Sequence, residues 1–513
     1  MEVEPREEGL WSPPRRVLLV TIEGLGTNLV GAYGNAICPT PNWDKFAVNG
    51  ITSDSFWMDS TSIYDVLQSI CTGRHQALRG RGGIELASSA ETSHAWSGSG
   101  FETPGLFVSD DPEACMIADR FLDGVRFCVS PEEMATEATD FETLLTKSFE
   151  LWTERMETLP WIWIHSKGLA GRWDAPLEYR SRMCDEGDPD PPTATVPPYL
   201  WLDEDPDPDI AFGWSCGAGA QAISMDESWL WVDRFLREMS LVEHCLVVLA
   251  GVQGFPLGEH RRIGLSAQAT HDRDGADSEQ QAAPESSEAS CYAERLHCPL
   301  LMRPGNTLPL GWRLPQCIQP HQLPQWIEAW MREEPLHAMQ RDWENEIETP
   351  RADSNEVSEW SKQLTKWDPA VARNAWDVSQ RSALAIGSKD LALIVPSWSS
   401  RWIWEDPSMG LARRHEADRE ADSRMEFSSQ DRSLRDQCAI PSWLPASGPL
   451  SRVELYVHPE DRWQQNEVGD RAASVLEFLV PILNAWTKLQ EVGPEELERL
   501  LWTLDASLID PVR

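Results

Sequence analysis

The feature that most constrains the fold of this chain is a series of short, continuous apolar runs. "VLLVTI" (17–22), "LPWIWIHSKG" (159–168), "EHCLVVLAGVQG" (243–254) and "LHCPLLMR" (296–303) each end in a polar or glycine-bearing loop. Runs this short, without alternation of polar residues, read as strands buried on both faces, as a parallel sheet requires. Amphipathic segments lie between them. "TPNWDKFAVNG" (40–50) predicts a short helix stopped by Gly50. "SIYDVLQSICTG" (62–73) predicts a helix capped by Ser62 and ended by Gly73, with Ile63, Val66, Leu67 and Ile70 on its apolar face. "SWLWVDRFLREMSL" (228–241) and "HQLPQWIEAWM" (321–331) predict two more helices. Strand alternating with helix points to the α/β class and a doubly wound sheet.

At 513 residues the chain is long enough for a large core and a second, smaller unit. Residues 15–375 are expected to form the main α/β domain. Within it, 185–209 is an acidic, proline-rich loop, 265–292 a polar insertion expected to be disordered, and 338–375 a charged helical connector. Residues 380–513 are expected to form an α+β subdomain. It has a hairpin over 382–398, a polar insertion over 409–447, a strand beginning at 452 and a helix over 472–489.

The formal net charge is −39, which disfavours nucleic acid and anionic lipid as partners. No run of about 20 apolar residues is present, so no membrane span is expected. The first sixteen residues lack the apolar core of a secretory signal, which gives a cytoplasmic expectation. The 11 cysteines contain no Cys-x-x-Cys pair and read as reduced thiols. The 26 tryptophans fit core positions better than a carbohydrate-stacking face.

In family order, "VLLVTIEGLGTNLVGAYGN", "CPTPNWDKFAVNGITSDSFW", "LQSICTGRH", "WIWIHSKGLAGRWDAPLEYR", "LVVLAGVQGFPLGEHRRIG", "LHCPLLMRPG" and "ELYVHPEDRWQQNEVGDR" resemble segments of the sulfatases of the alkaline-phosphatase superfamily. The resemblance implies a large mixed sheet sandwiched by helices, with a smaller C-terminal α+β subdomain. It also implies what an intact member needs: a Cys or Ser nucleophile at a helix N-terminus, a divalent cation (calcium in the family) held by hard oxygen ligands, and basic residues for the sulfate oxygens.

Carried over by position, the metal-binding Asp-Asp pair falls on Glu23 and Gly24, and the second metal pair on Val252 and Gln253. The nucleophile falls on Ile63, and the Pro and Arg of its motif on Asp65 and Leu67. The sulfate-contacting His falls on Ala170, with His165 and Lys167 nearby, and the Lys after "Arg-Ile-Gly" falls on Leu265. Glu23 reads either as a vestigial ligand or, preferably, as a strand-end acid that pairs locally. Lys167 and Arg172 read equally as a shallow anion contact or a solvated loop.

Ile63 cannot attack sulfur, and one glutamate with one amide cannot neutralise a dication. The expectation is therefore a pseudosulfatase with a binding or regulatory role, without catalytic residues and without a cofactor. Its partner would be a sulfated ligand or a related sulfatase. The alternative is a sulfuric- or phosphoric-ester hydrolase in which a slipped register brings Thr61 or Ser62 into use with altered metal ligation.

Overall fold

The computed structural model describes residues 14–73, 104–134, 137–203, 205–265, 292–305 and 311–332, together with strand segments 370–373, 382–387, 391–398 and 454–457. The apolar runs form the middle of an eight-stranded sheet of order β10-β2-β9-β7-β1-β5-β3-β4. Its strands are β1 (Arg16–Gly24), β2 (Ile51–Trp57), β3 (Gly105–Ser109), β4 (Gly124–Cys128), β5 (Trp161–Ser166), β7 (Cys245–Gly254), β9 (His297–Pro304) and β10 (Trp312–Ile318). The two-residue strands β6 (Leu200–Trp201) and β8 (Arg262–Ile263) pair separately. β7, β1, β5, β3 and β4 run parallel to one another, β9 runs antiparallel to both β7 and β2, and β2 is parallel to β10. The sheet is thus mixed and mostly parallel.

Two helical layers cover it because alternate side chains of each strand face opposite ways. Leu18, Val20, Ile22, Ile162, Ile164, Val247 and Leu249 face a core that includes Trp43, Leu144, Trp152, Ala218 and Val232. These last come from α1 (Pro41–Val48), α4 (Asp140–Thr153), α5 (Pro208–Ser228) and α6 (Leu230–Glu238). Val17, Leu19, Trp161, Trp163, Val248 and Val252 face the other core. There they meet α2 (Ile63–Thr72), α3 (Pro112–Phe121), α7 (Ala293–Leu296) and α8 (Leu323–Met331).

The predicted helix over 62–73 forms with the expected ends. Ser62 accepts a hydrogen bond from the Asp65 N–H, and Gly73 closes the helix in the left-handed region at φ 62°. The segment 228–241 is not one helix: Ser228 ends the 21-residue helix α5, and α6 covers Leu230–Glu238. α5 carries Gly213, Gly217 and Gly219, an unpromising composition for a helix. They are there for close approach: a Cβ at Gly217 would lie 2.5 Å from the Trp173 ring, and one at Gly219 would lie 2.6 Å from the Met183 sulfur.

Asp226 of α5 caps α1 from a distance. Its carboxylate accepts from the Trp43 N–H at 2.7 Å and from the Asn42 N–H at 3.2 Å. Burial pushes this carboxyl up to about 6, against the pull of those donors. A raised carboxyl pKa means the native state holds the proton longer than the unfolded chain. Its ionisation therefore removes stability as pH climbs from about 4 to about 6. In denaturant titrations the stability difference between Asp226→Asn and the parent is expected to move in favour of the variant between pH 4 and pH 7. A difference independent of pH would contradict this.

The hairpin over 382–398 is present as the antiparallel strands β12 (Ser382–Gly387) and β13 (Leu391–Trp398), flanked by β11 (Ala370–Arg373) and β14 (Glu454–Val457). β11 falls where a helical connector is expected, so the end of that segment is extended instead. The insertions 265–292 and 409–447 and the helix over 472–489 lie wholly or almost wholly outside the described residues. Among the described residues no helix is long and apolar enough to cross a membrane.

Candidate metal and anion site at the carboxyl ends of the strands

In an open α/β sheet, ligand-binding residues collect beyond the carboxyl ends of parallel strands. Three adjacent strands meet that description here. Register pairs Thr21 of β1 with His165 of β5, and His165 with Ser109 of β3. Side chains paired across parallel strands share a face, so Thr21 and His165 stand side by side and Glu23 lies one step further along the same face.

His165 bridges its neighbours. Its Nδ1 lies 2.9 Å from Thr21 Oγ1, and its Nε2 lies 3.0 Å from Glu23 Oε1. Thr21 Oγ1 also accepts from the Trp163 indole N–H at 2.8 Å. His165 is fully buried and Glu23 is 5% exposed. Burial raises the Glu23 carboxyl pKa, opposed first by the hydrogen bond to His165.

Beyond β3 the chain runs through Asp110 and Asp111 into α3. Asp111 is the N-cap of α3 and accepts from the Glu113 and Ala114 N–H groups. Asp110 Oδ1 accepts the Lys167 N–H at 2.8 Å, and burial pushes its carboxyl up to about 7. The Lys167 ammonium, 42% exposed, stands 3.9 Å from Asp111 Oδ1. Tyr64 stands in the first turn of α2; burial, and then the neighbouring Glu113 carboxylate, raise its phenol pKa.

The N-terminus of α2 is fixed over this edge of the sheet from beneath. The Thr61 carbonyl accepts from the Gln253 amide and, at 3.0 Å, from the buried Arg295 guanidinium. Ile63 is the first residue of the helix and packs against the core beneath it. Ser62 Oγ caps the helix and Thr61 is 7% exposed.

The other positions carried over from the resemblance can now be placed. Gly24 sits at φ +76°, and a Cβ there would lie 2.7 Å from Leu169 Cβ. Val252 pairs with Glu23 across the sheet and is fully buried in the apolar core. Gln253 spends its amide on Thr61. Ala170 closes a short turn by donating its N–H to the Lys167 carbonyl. Arg172 is drawn to Asp140, at 2.5 Å, and to Asp174, at 3.8 Å.

One expectation is corrected here. Glu23, Asp111 and His165, all buried, offer one ligand atom each within 4.8 Å of one another. That is a group able to hold a metal ion, so the expectation that no cofactor is involved does not stand. The donor set tests which ion it suits. Calcium takes 6–8 oxygen ligands, whereas this group brings an imidazole nitrogen and two carboxylates. A mixed nitrogen and oxygen set with few ligands suits a first-row transition metal better.

Asp110, Asp111, Tyr64 and Thr21 form or border the site without having been singled out in the sequence. The readable signal was "SDDPE", an acid before a Pro at a helix start, which marks a cap as readily as a ligand.

No family profile matches the chain, and no curated protein matches it in sequence. The likeness is in the structure. The 2-O GAG sulfatase BT1596 superposes with a TM-score of 0.56 at 11% identity, covering 95% of this chain and 96% of its own. The fold is sulfatase-like. BT4656, solved with its substrate D-glucosamine-2-N,6-O-disulfate, gives 0.55 at 11% identity over 96% of this chain and 99% of its own. yidJ of Bacteroides fragilis, put forward as a sulfatase, gives 0.55 at 12% identity over 96% and 98%. At such identities the sulfatase-like fold is what the likeness carries; the chemistry has to be argued from the side chains.

Proposed function

We propose that this chain is a catalytically inactive sulfatase-fold protein that binds a small sulfated ligand at the strand-end site. The observation that carries the reading is Ile63 as the first residue of α2. A helix N-terminus stabilises an anion and activates a nucleophile beside it, but an aliphatic side chain offers nothing to activate. The seat of a second acidic ligand, Gly24, is closed by Leu169 and by its own backbone conformation.

What remains suits recognition. The half-exposed Lys167 ammonium supplies a positive charge, and Tyr64 brings a hydroxyl close to the acids. The net charge of −39 opposes an extended polyanion, so a ligand with one or two sulfate groups fits better. The metal triad would hold a cation that, when bound, attracts and polarises an anionic oxygen.

A second reading, ester hydrolysis through Ser62 or Thr61, is favoured by that same triad lying near the start of α2. Against it, Ser62 Oγ already caps the helix and Thr61 is buried. The test is calorimetric titration with a sulfated monosaccharide, followed by analysis of the recovered sugar. Saturable binding with the sulfate intact is expected; release of sulfate by the chain overturns the reading.

A further inference from the structure

We infer that Glu23, Asp111 and His165 form a site for a zinc-class divalent metal, not calcium, and that Thr21 positions the imidazole for it. The inference stands independently of whether the chain turns over an ester.

The argument begins with His165. Its Nε2 faces Glu23 Oε1 at 3.0 Å, and its Nδ1 faces Thr21 Oγ1 at 2.9 Å. A metal taken between Nε2 and the two carboxylates displaces any proton on Nε2 and leaves the ring proton on Nδ1. Thr21 Oγ1 has two lone pairs, enough to accept that Nδ1–H together with the Trp163 indole N–H at 2.8 Å. A ligating imidazole whose other nitrogen donates to a fixed oxygen is the arrangement that sets its tautomer and orientation. Here Thr21 and Trp163, neither of them a ligand, provide it from β1 and β5.

Charge and geometry agree. Two ionised carboxylates and a neutral imidazole balance one dication among groups that are 0–5% exposed, and the Lys167 ammonium, 3.9 Å from Asp111 Oδ1, leaves one positive charge for an anionic ligand. The ligand atoms lie within 4.8 Å of one another, close enough to converge on one small ion whose bonds to nitrogen and oxygen are about 2.0–2.2 Å. A tetrahedral ion with three protein ligands keeps a fourth position for water or an anionic oxygen. Calcium takes 6–8 oxygens, and of the positions the resemblance assigns to its ligands Gly24 has no side chain, Val252 is apolar and Gln253 has only a neutral amide to offer.

The test uses the full chain freed of metal by chelator dialysis. Zn²⁺, Co²⁺ and Ca²⁺ are titrated separately, with calorimetry and melting temperature as readouts. The visible spectrum of the Co²⁺ form reports nitrogen and oxygen ligation, and thiolate charge-transfer bands would reveal binding by cysteines instead. One equivalent of Zn²⁺ is expected to bind and raise the melting temperature, with Ca²⁺ at the same concentration without effect. His165→Ala and Asp111→Asn, tested in parallel in case one fails to fold, are expected to lose Zn²⁺ binding. Thr21→Val is expected to weaken Zn²⁺ affinity about 10–100-fold at unchanged stoichiometry, and Thr21→Ser to restore it. Preferential Ca²⁺ binding, no binding of any of the three ions, thiolate bands, or Zn²⁺ affinity unchanged in His165→Ala or Thr21→Val would each overturn the inference.

Discussion

Gly24→Asp, the substitution that would place a second carboxylate at the end of β1, is expected to cost about 2–5 kcal/mol and to confer no calcium binding. Gly24 lies at φ +76°, where an L side chain costs about 1–2 kcal/mol. Its Cβ would meet Leu169 Cβ at 2.7 Å, and Leu169 is fully buried, so the new atoms have nowhere to go. Overpacking of that kind adds about 1–3 kcal/mol. The position is therefore closed, and a single substitution cannot reopen it. Denaturant unfolding of the variant beside the parent measures the effect. A variant as stable as the parent that gained calcium affinity would mean that the strand end is open to a side chain.

Trp163→Ala carries a cost of similar size, about 3–5 kcal/mol. Trp163 is fully buried on the face of β5 and meets Phe107 edge-on at 5.2 Å between ring centres. Its indole N–H also fixes Thr21. Trp163→Phe keeps most of the packing and removes the donor alone, so it is expected to cost well under half as much. If Trp163→Ala lowered stability by less than about 1 kcal/mol, the face assigned to β5, and with it the placement of His165 beside Glu23, would be wrong.

Much of this architecture was legible because the buried strands are written as unbroken apolar runs. β1, β5, β7 and β9 could be read from "VLLVTI", "WIWIH", "CLVVLAG" and "CPLLM" alone, and the Ser62 cap and Gly73 stop framed α2. Glu23 could be singled out because it breaks the first run at its carboxyl end. Its partners could not, for a physical reason. His165 and Glu23 are 142 residues apart and meet only through the β1–β5 register, which no local pattern encodes. Asp111 does two jobs, capping α3 and completing the triad, and the first is sufficient to explain an acid before Pro112. α5 escaped detection because its three glycines argue against a helix until Trp173 and Met183 are seen packed upon two of them. The expectation of no cofactor failed for a related reason: it counted only the ligand positions that the resemblance supplies, and His165 and Asp111 are not among them.

The central proposal is that Ile63 leaves the helix tip over this site without an activated nucleophile, the Ser62 and Thr61 hydroxyls included. Initial rates of 4-nitrophenyl sulfate hydrolysis test it most directly, with the chain supplied in turn with Zn²⁺ and Ca²⁺ and compared with a Thr61→Ala/Ser62→Ala double variant. The account predicts that parent and variant are indistinguishable from buffer containing the same metal. Metal-dependent turnover by the parent that disappears in the double variant would contradict it.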